Sequence, residues 1–351
     1  MAEGGKVKSF LFFILKLAVA GAAVWYLFPR GEDAEALKKG LGNFDPFWVA
    51  AAAAVYFTHM LVAAWRWGRL ARMLGVDLKG FEAVSLTMQG YFFSLVIPGG
   101  AIGGDVVKMS VISRRSPSGE KFEGVFTVLM DRITGMIALF GMALVLIPLC
   151  RQVLMRVHLP GLPPHEHLQE LLMAGVMLLC IAGLAASCVI FFHRQVSKIA
   201  LFKFLMDFGD RMTHGMVSRM TAATDVYSGK WRELLYLIAV SVFGVHLMTA
   251  IPVCLLLTAL DVPYSVLTVV TALTIGNIVG LIPLFPAGVG GRDVVSVLIM
   301  TAGGIPAAEA KTVQLVYTAI LLLTSLADGL FFVFDRGGKS GDLPQKEEMH
   351  P

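Results

Sequence analysis

Two similar stretches, one in each half of the chain, contain most of the residue types that could bind a ligand or take part in catalysis. They read PGGAIGGDVV at 98–107 and PAGVGGRDVV at 286–295, and we call them the first and the second glycine motif. They align without a gap, and the aligned pairs are Pro98 with Pro286, Gly100 with Gly288, Gly103 with Gly291 and Asp105 with Asp293. Glycine lets a ligand approach the backbone closely, and the free N–H groups of a helix start attract anions. The motifs therefore predict two phosphate-facing turns, each followed by a short helix.

Charged side chains interrupt apolar sequence in and near both motifs. They are Asp105, Lys108, Asp131, Arg132, Arg292 and Asp293. An ionisable side chain at the centre of a membrane helix costs about 2.5–3.5 kcal/mol on insertion scales, so each needs a partner or a polar cavity. Internal salt bridges are one interpretation. The other is a cavity in which Arg132, Arg292 and Lys108 hold a phosphate, since the guanidinium fork binds it at two points. In that case we expect Asp131 and Asp293 to orient the two arginines.

The substrate-binding residues predicted from these patterns are Gly99, Gly100, Gly103, Gly104, Asp105, Lys108, Asp131, Arg132, Gly288, Gly290, Gly291, Arg292 and Asp293. A packing role stays open for the motifs, because the glycines could form a kink while the aspartates stabilise helix starts. His59 and His246 lie inside apolar runs, at nearly the same distance before the two motifs. Each could be a hydrogen-bonded packing residue, or the two could relay protons, since imidazole titrates near neutral pH. No catalytic or metal-binding residue is predicted.

Composition places these residues in a membrane protein. Of the 351 residues, 56% are hydrophobic and 15% are charged, and the mean hydropathy is +0.74. Soluble domains contain about 25% charged residues, so a soluble fold is excluded. Cys150, Cys180, Cys188 and Cys254 show no CxxC spacing, and we interpret them as packing residues without a metal or a disulfide. No cofactor and no nucleic-acid partner is predicted.

Six apolar runs are long enough to cross a membrane, which takes about 20 residues. They are 9–28, 47–66, 122–149, 168–192, 233–258 and 310–334. Each glycine motif lies in a further region, 82–113 or 264–303, whose second arm is too short to cross. Glycine and proline are tolerated at membrane depth where protein or a water-filled cavity surrounds the backbone. The predicted fold is therefore an all-α polytopic membrane protein with six full spans plus two re-entrant helical hairpins.

The placement of Lys and Arg orients this fold. Most of them, Arg66 included, lie in segments that share the cytoplasmic side when both termini are cytoplasmic, as the positive-inside rule requires. The two hairpins then enter from opposite sides, so 47–149 and 233–334 form an inverted repeat. Broken helices in inverted repeats are typical of transport sites near the midplane. We predict one integral-membrane domain at 1–343 and a polar tail at 344–351.

The motifs also carry a family resemblance. IPGGAIGGDVVK, the Asp131-Arg132 pair in the next span and PAGVGGRDVV resemble the lysylphosphatidylglycerol synthase transmembrane-region family, also called flippase-like or UPF0104 proteins. The resemblance covers most of the chain and implies lipid translocation, with stand-alone members linked to export of lipids, hopanoids or polyprenyl-linked compounds. Two positions depart from the family pattern. Asp293 stands where the second motif usually ends in Glu, and Tyr317-Thr318 stand where the last span often carries Arg.

The function expected from residues and resemblance together is lipid translocation. The substrate would be a phospholipid or a polyprenyl-phosphate-linked lipid of the bacterial cytoplasmic membrane, carried through a polar cavity between the hairpins. No P-loop is found, so ATP is not the expected driver. An integral-membrane lipid-modifying transferase and a non-transporting subunit of a lipid synthase are the alternatives. We expect no enzyme activity, because the family's soluble lysyltransferase domain is not found after the last span. The expected partners are a membrane lipid with a phosphate headgroup and, as an open question, a lipid-synthesising enzyme.

Overall fold

The computed structural model describes residues 44–97, 101–115, 121–158, 166–191, 210–213, 215–282 and 288–337, together with Gly42, Lys198 and Phe208. These residues form helices and no strand. In chain order the helices are α1 (Pro46–Met73), α2 (Gly80–Val96), α3 (Ala101–Arg115), α4 (Lys121–Leu149), α5 (Arg151–Leu154), α6 (Glu166–Phe191), α7 (Met216–Gly229), α8 (Trp231–Val240), α9 (Ala250–Ala259), α10 (Val266–Gly280), α11 (Gly291–Ala302), α12 (Ala307–Ala327) and α13 (Gly329–Gly337).

Five helical stretches are long and apolar enough to cross a membrane, which confirms an all-helical polytopic membrane protein. They are Pro46–Met73, Lys121–Leu149, His167–Phe191, Trp231–Ala259 and Ala307–Phe334. Each coincides with one of the predicted spans, and the remaining predicted span, 9–28, lies outside the described residues. The count of six therefore stays a prediction.

Both regions predicted as re-entrant hairpins consist of two short helices that pack on each other. The first pair is α2 with α3, and the second is α10 with α11. The longer arm of the second pair, α10, has 15 residues. At about 1.5 Å per residue it rises about 22 Å, less than the roughly 30 Å of the hydrocarbon core. The lengths agree with re-entrant arms. Re-entry itself stays a prediction, and residues 98–100 and 283–287, with Gly99 and Gly100, lie outside the described residues.

Local sequence explains where the spans and arms begin. The Asp45 side chain accepts a hydrogen bond from the N–H of Phe47 and so caps α1, which starts with a proline; both features favour a helix start. In the second hairpin, Ser265 caps α10 through the N–H of Thr268. The span from Trp231 to Ala259 is interrupted by a π-helical turn at Ser241–His246 and a short 3₁₀ turn at Leu247–Thr249. Such π turns are rare and frequent at functional sites.

The main hydrophobic core joins the two halves of the chain. Buried side chains from α1, α4, α9, α10, α11 and α12 form one cluster. The order of elements is the same in both halves, a span, two short arms and a span, as the predicted repeat requires. In contrast, α6 exposes large apolar side chains along its length, among them Leu171, Leu172, Leu178 and Leu179, and such a surface is suited to lipid. The core thus holds the two hairpins together and leaves an apolar surface towards the membrane.

Candidate functional site

A cavity of about 310 Å³ lies where the two halves of the chain meet. Its lining comes from α1, α2, α3, α4, the π-helical turn, α10, α11 and α12. The polar side chains in it are Tyr56, His59, Arg66, Thr87, Tyr91, Ser94, Asp105, Lys108, Asp131, Arg132, His246, Thr249, Asn277, Arg292, Tyr317 and Ser325. Both predicted hairpins thus contribute to one polar chamber.

Asp105 and Arg132 form the most open ion pair of this cavity. Arg132 Nε donates to Asp105 Oδ2 at 2.8 Å, and its terminal nitrogen contacts the same oxygen. The side chains keep 29% and 22% of their surface exposed, for Arg132 and Asp105 respectively. This pair joins α3 of the first hairpin to α4. Because the pair is exposed to the chamber, a second anion can reach the guanidinium of Arg132.

Asp131 pairs with a residue that the sequence analysis assigned to the cytoplasmic side. Arg66 on α1 donates from Nε to Asp131 Oδ1 at 2.9 Å, and Lys108 Nζ lies 4.0 Å from Asp131 Oδ2. The expectation that Asp131 orients Arg132 is therefore wrong. Successive residues of a helix point about 100° apart, so Asp131 faces α1 while Arg132 faces α3.

Arg66 and Lys108 are held by aromatic and hydroxyl groups as well. Arg66 donates from one terminal nitrogen to Ser241 Oγ at 2.7 Å, at the start of the π-helical turn. Lys108 Nζ lies 3.9 Å from the centroid of the Trp67 ring, within the range of a cation–π contact. The two cations and Asp131 form a buried triad, which fixes α1, α3 and α4 relative to each other.

The second glycine motif contains its own ion pair. Arg292 donates to Asp293 Oδ1 from Nε at 2.8 Å and from a terminal nitrogen at 2.6 Å. Asp293, with 0% exposure, also accepts from the Gly290 N–H at 2.9 Å and from Gln314 Nε2 at 2.8 Å. The expectation that Asp293 orients Arg292 agrees with this geometry. The contact with Gly290 also makes Asp293 part of the start of α11.

Tyr317 and Thr318 occupy the positions where the family pattern often has an arginine, and both contact Arg292. Arg292 donates to Thr318 Oγ1 at 3.2 Å, and its guanidinium carbon lies 5.2 Å from the centroid of the Tyr317 ring. The last span therefore holds Arg292, an arginine of the second glycine motif, through these two contacts. Aspartate, tyrosine and threonine together fix the guanidinium at the wall of the cavity.

The motif glycines pack the hairpin arms together. A Cβ at Gly104 would overlap the carbonyl oxygen of Gly90 and the hydroxyl of Ser94, and one at Gly103 would lie 3.1 Å from Ile97. Gly288 lines the cavity, with φ of +75°.

Gly290, with φ of +94°, precedes α11, and Gly291 is its first residue. Of the motif glycines within the described residues, Gly288 is the one that lines the chamber. A phosphate contact of the others stays a prediction.

Both histidines predicted as a relay line the cavity. His59 donates from Nδ1 to the Tyr56 carbonyl in its own helix, and its ring lies 6.5 Å from that of Tyr91. His246 donates from Nε2 to the Gly135 carbonyl at 3.0 Å. The structure thus brings the two residues to one chamber, and their proton-relay role stays a prediction. Among the described residues, no three His, Cys, Asp or Glu side chains come together as a metal site.

Sequence reasoning missed Arg66, and a signal for it was present. Tyr56, His59, Ala63 and Arg66 follow the i, i+3, i+7, i+10 spacing of one helix face, and all four line the cavity. Two further polar residues, Gln314 and Ser241, were missed because nothing in their sequence neighbourhood distinguishes them. Their roles depend on contacts between helices that are distant in the chain.

Comparisons with known proteins agree with this architecture. The lysylphosphatidylglycerol synthase TM region family matches residues 13–329, a range that includes every helix of the cavity. A UPF0104 membrane protein of Methanothermobacter thermautotrophicus is 23% identical over 310 residues, which cover 82% of this chain and 83% of the relative. The resemblance expected from the glycine motifs is confirmed.

Proposed function

The chain belongs to the lysylphosphatidylglycerol synthase TM region family, and from that premise we propose that it moves a lipid with a phosphate headgroup across the cytoplasmic membrane. The headgroup occupies the charged cavity, and the acyl chains stay in the bilayer. The observation that carries the proposal is the cavity itself, which both hairpins line and in which basic side chains outnumber acidic ones.

The charge balance favours a monoanionic headgroup. Among the described residues, four basic side chains face the chamber, namely Arg66, Lys108, Arg132 and Arg292. Three acidic side chains pair with them, namely Asp105, Asp131 and Asp293. One positive charge is left over, which one phosphodiester neutralises. A phosphate in a site of low dielectric interacts strongly with such a charge, and arginine holds it with paired hydrogen bonds.

The exposure of the ion pairs indicates where the phosphate binds. Arg132 is the most accessible of the three paired arginines, and it is our candidate for the first contact. Arg292 lines the opposite, second-hairpin side of the chamber and is locked against Asp293. We propose that the phosphate exchanges with Asp105 on Arg132 and then contacts Arg292. The nearby arm surfaces are apolar, with Ile102 and Val106 on α3 largely exposed, so acyl chains can follow outside the cavity.

The proposal is tested by removing the open ion pair without leaving a lone charge. In proteoliposomes with fluorescent phosphatidylglycerol, the double variant Asp105→Asn with Arg132→Gln should move lipid at least about tenfold more slowly than wild type, since a charge-assisted hydrogen bond contributes about 1.5–3 kcal/mol.

The matched control is Glu82→Gln with Arg115→Gln, a pair of similar exposure that also involves α3 and lies outside the cavity. This control should move lipid at the wild-type rate. An unchanged rate in the Asp105 and Arg132 variant, with folding intact, would contradict the proposed phosphate site.

A further inference from the structure

Among the described residues, a buried carboxylate at the end of the last long helix has no counter-charge. Asp328 follows α12 directly and is 2% exposed. Its Oδ2 atom has no hydrogen-bond partner, and within the described part of the chain the residue forms no ion pair. The hydroxyl of Thr87 on α2 is buried without a partner as well. Every other acid at the cavity is paired, so Asp328 is the exception that needs an explanation.

The neighbours of Asp328 place it at the edge of the cavity. Ser325, one turn earlier on α12, lines the chamber. Tyr56 on α1 and Tyr91 on α2 are close enough to interact electrostatically with the carboxylate.

The titratable or charged groups that line the cavity from helices packed on α12 are Tyr56, His59 and Arg66 on α1, Tyr91 on α2 and Arg292 on α11. Arg292 is already neutralised by Asp293 at 2.6 Å. Arg66 is likewise paired, with Asp131 at 2.9 Å, so neither arginine forms an ion pair with Asp328.

Asp328 also sits where the last helix meets the first hairpin. Gly329 begins α13, and a Cβ there would lie 2.9 Å from the Phe92 ring of α2. Phe93 of α2 and Phe332 of α13 pack edge to face, with centroids 5.0 Å apart. These contacts pack α13 against α2 beside Asp328, whose side chain is buried, and ionising a carboxyl group at a buried site is costly in free energy.

We propose that Asp328 is a proton-binding site, protonated in this conformation, and that release of its proton changes the net charge of the cavity. An isolated carboxylate in an apolar site costs far more free energy than its neutral form, so the group binds a proton instead. A metal ion needs several ligands, whereas a proton needs one oxygen. No cluster of three metal-ligating side chains exists among the described residues.

The protonation state of Asp328 decides whether the chamber favours an anion. With Asp328 neutral, the four basic and three acidic side chains of the cavity leave one positive charge, and with Asp328 ionised they leave none. The affinity for a phosphate headgroup is then highest in the protonated form. This coupling rests on the proposed lipid transport, whereas the proton site itself does not.

The proton site is tested first without lipid, by infrared difference spectroscopy of purified protein near neutral pH. The wild type should show a protonated carboxyl band that Asp328→Asn lacks, and the control Asp77→Asn, at an exposed loop aspartate, should keep it. Asp328→Ser is the second variant if the amide does not fold. An identical carboxyl region in wild type and Asp328 variants would overturn the proposal. So would a wild-type band that appears only when sodium is replaced by choline, since sodium would then be the bound cation.

Thermal melting across pH gives an independent test. A free aspartate titrates near pH 4, at about 3.9, and proton binding at Asp328 requires the folded protein to keep the proton above that pH. Stability from this group is therefore complete below about pH 4 and is lost as pH rises. Asp328→Asn needs no proton, so its melting temperature relative to wild type should rise between pH 5 and pH 8. A difference that stays constant across this range would contradict proton binding.

Transport separates the two proposals. In proteoliposomes with fluorescent phosphatidylglycerol, an imposed pH gradient should change the wild-type rate severalfold and leave Asp328→Asn unaffected. If the infrared band is found and neither the wild type nor Asp328→Asn moves lipid, the proton site stands and the proposed lipid transport is wrong. If lipid moves and the gradient affects both proteins equally, the coupling is wrong.

Discussion

Replacing Gly104 with alanine should separate the two arms of the first hairpin. Gly104 lies on α3 against the Gly90 carbonyl oxygen and the Ser94 hydroxyl of α2, and an added Cβ would overlap both. Ser94 can rotate away, but the backbone oxygen of Gly90 cannot. The φ of Gly104 is not positive, so alanine meets no backbone obstacle and the whole effect comes from packing.

The size of the effect follows from two opposing contributions. Ordinary Cβ contacts begin near 3.4 Å, so the arms must move apart by about 1 Å, and such overpacking costs about 1–3 kcal/mol. Alanine in place of a helical glycine recovers up to about 1 kcal/mol. With the full gain the net loss is about 0–2 kcal/mol, or up to about 8 °C in melting temperature.

The matched control for this substitution is Gly141→Ala in α4. A Cβ at Gly141 would have nothing within 4 Å, so the variant should keep or gain stability, by up to about 1 kcal/mol. Thermal melting of both purified variants measures the contrast, and lipid movement in proteoliposomes should fall in Gly104→Ala alone. Equal or higher melting of Gly104→Ala relative to Gly141→Ala would refute the close packing of the arms.

Two further predictions concern the buried triad and the topology. Asp131→Asn alone leaves Arg66 and Lys108 without their acid and should cost about 3–5 kcal/mol, whereas Asp131→Asn with Arg66→Gln should cost much less; equal melting of the single and double variants would contradict the pairing. In a background without the native cysteines, single cysteines at Ser116 and Ala307 should react with an impermeant reagent from opposite faces of the membrane. Labelling of both from one face would contradict the inverted repeat.

The spans were predictable because their signal is local. About 20 consecutive apolar residues identify a crossing helix whatever its partners are, and the described spans coincide with the predicted ones. The hairpin arms were predictable for a related reason, since glycine and proline interrupt the apolar sequence at 98–107 and 286–295. The sequence shows that the second arm of each region is too short to cross, whereas the 15-residue length of α10 emerged only from the structure.

The partners of the charged residues were not predictable, because they depend on helix rotation. Asp131 and Arg132 are neighbours in sequence, yet they face α1 and α3 respectively. Arg66 was placed at the cytoplasmic end of the predicted span 47–66, whereas α1 continues to Met73. Most charged residues of the cavity could be named from sequence, Arg66 excepted, but their pairing required the packing of four helices.

A density map of the protein in nanodiscs rich in phosphatidylglycerol tests the central claim most directly. We predict headgroup density inside the cavity, with its phosphate within hydrogen-bond reach of Arg132 and on the side of the chamber that faces Arg292. The same map of the Asp105→Asn, Arg132→Gln variant should lack it. A wild-type cavity without headgroup density, with every lipid phosphate at the membrane surface, would contradict the account.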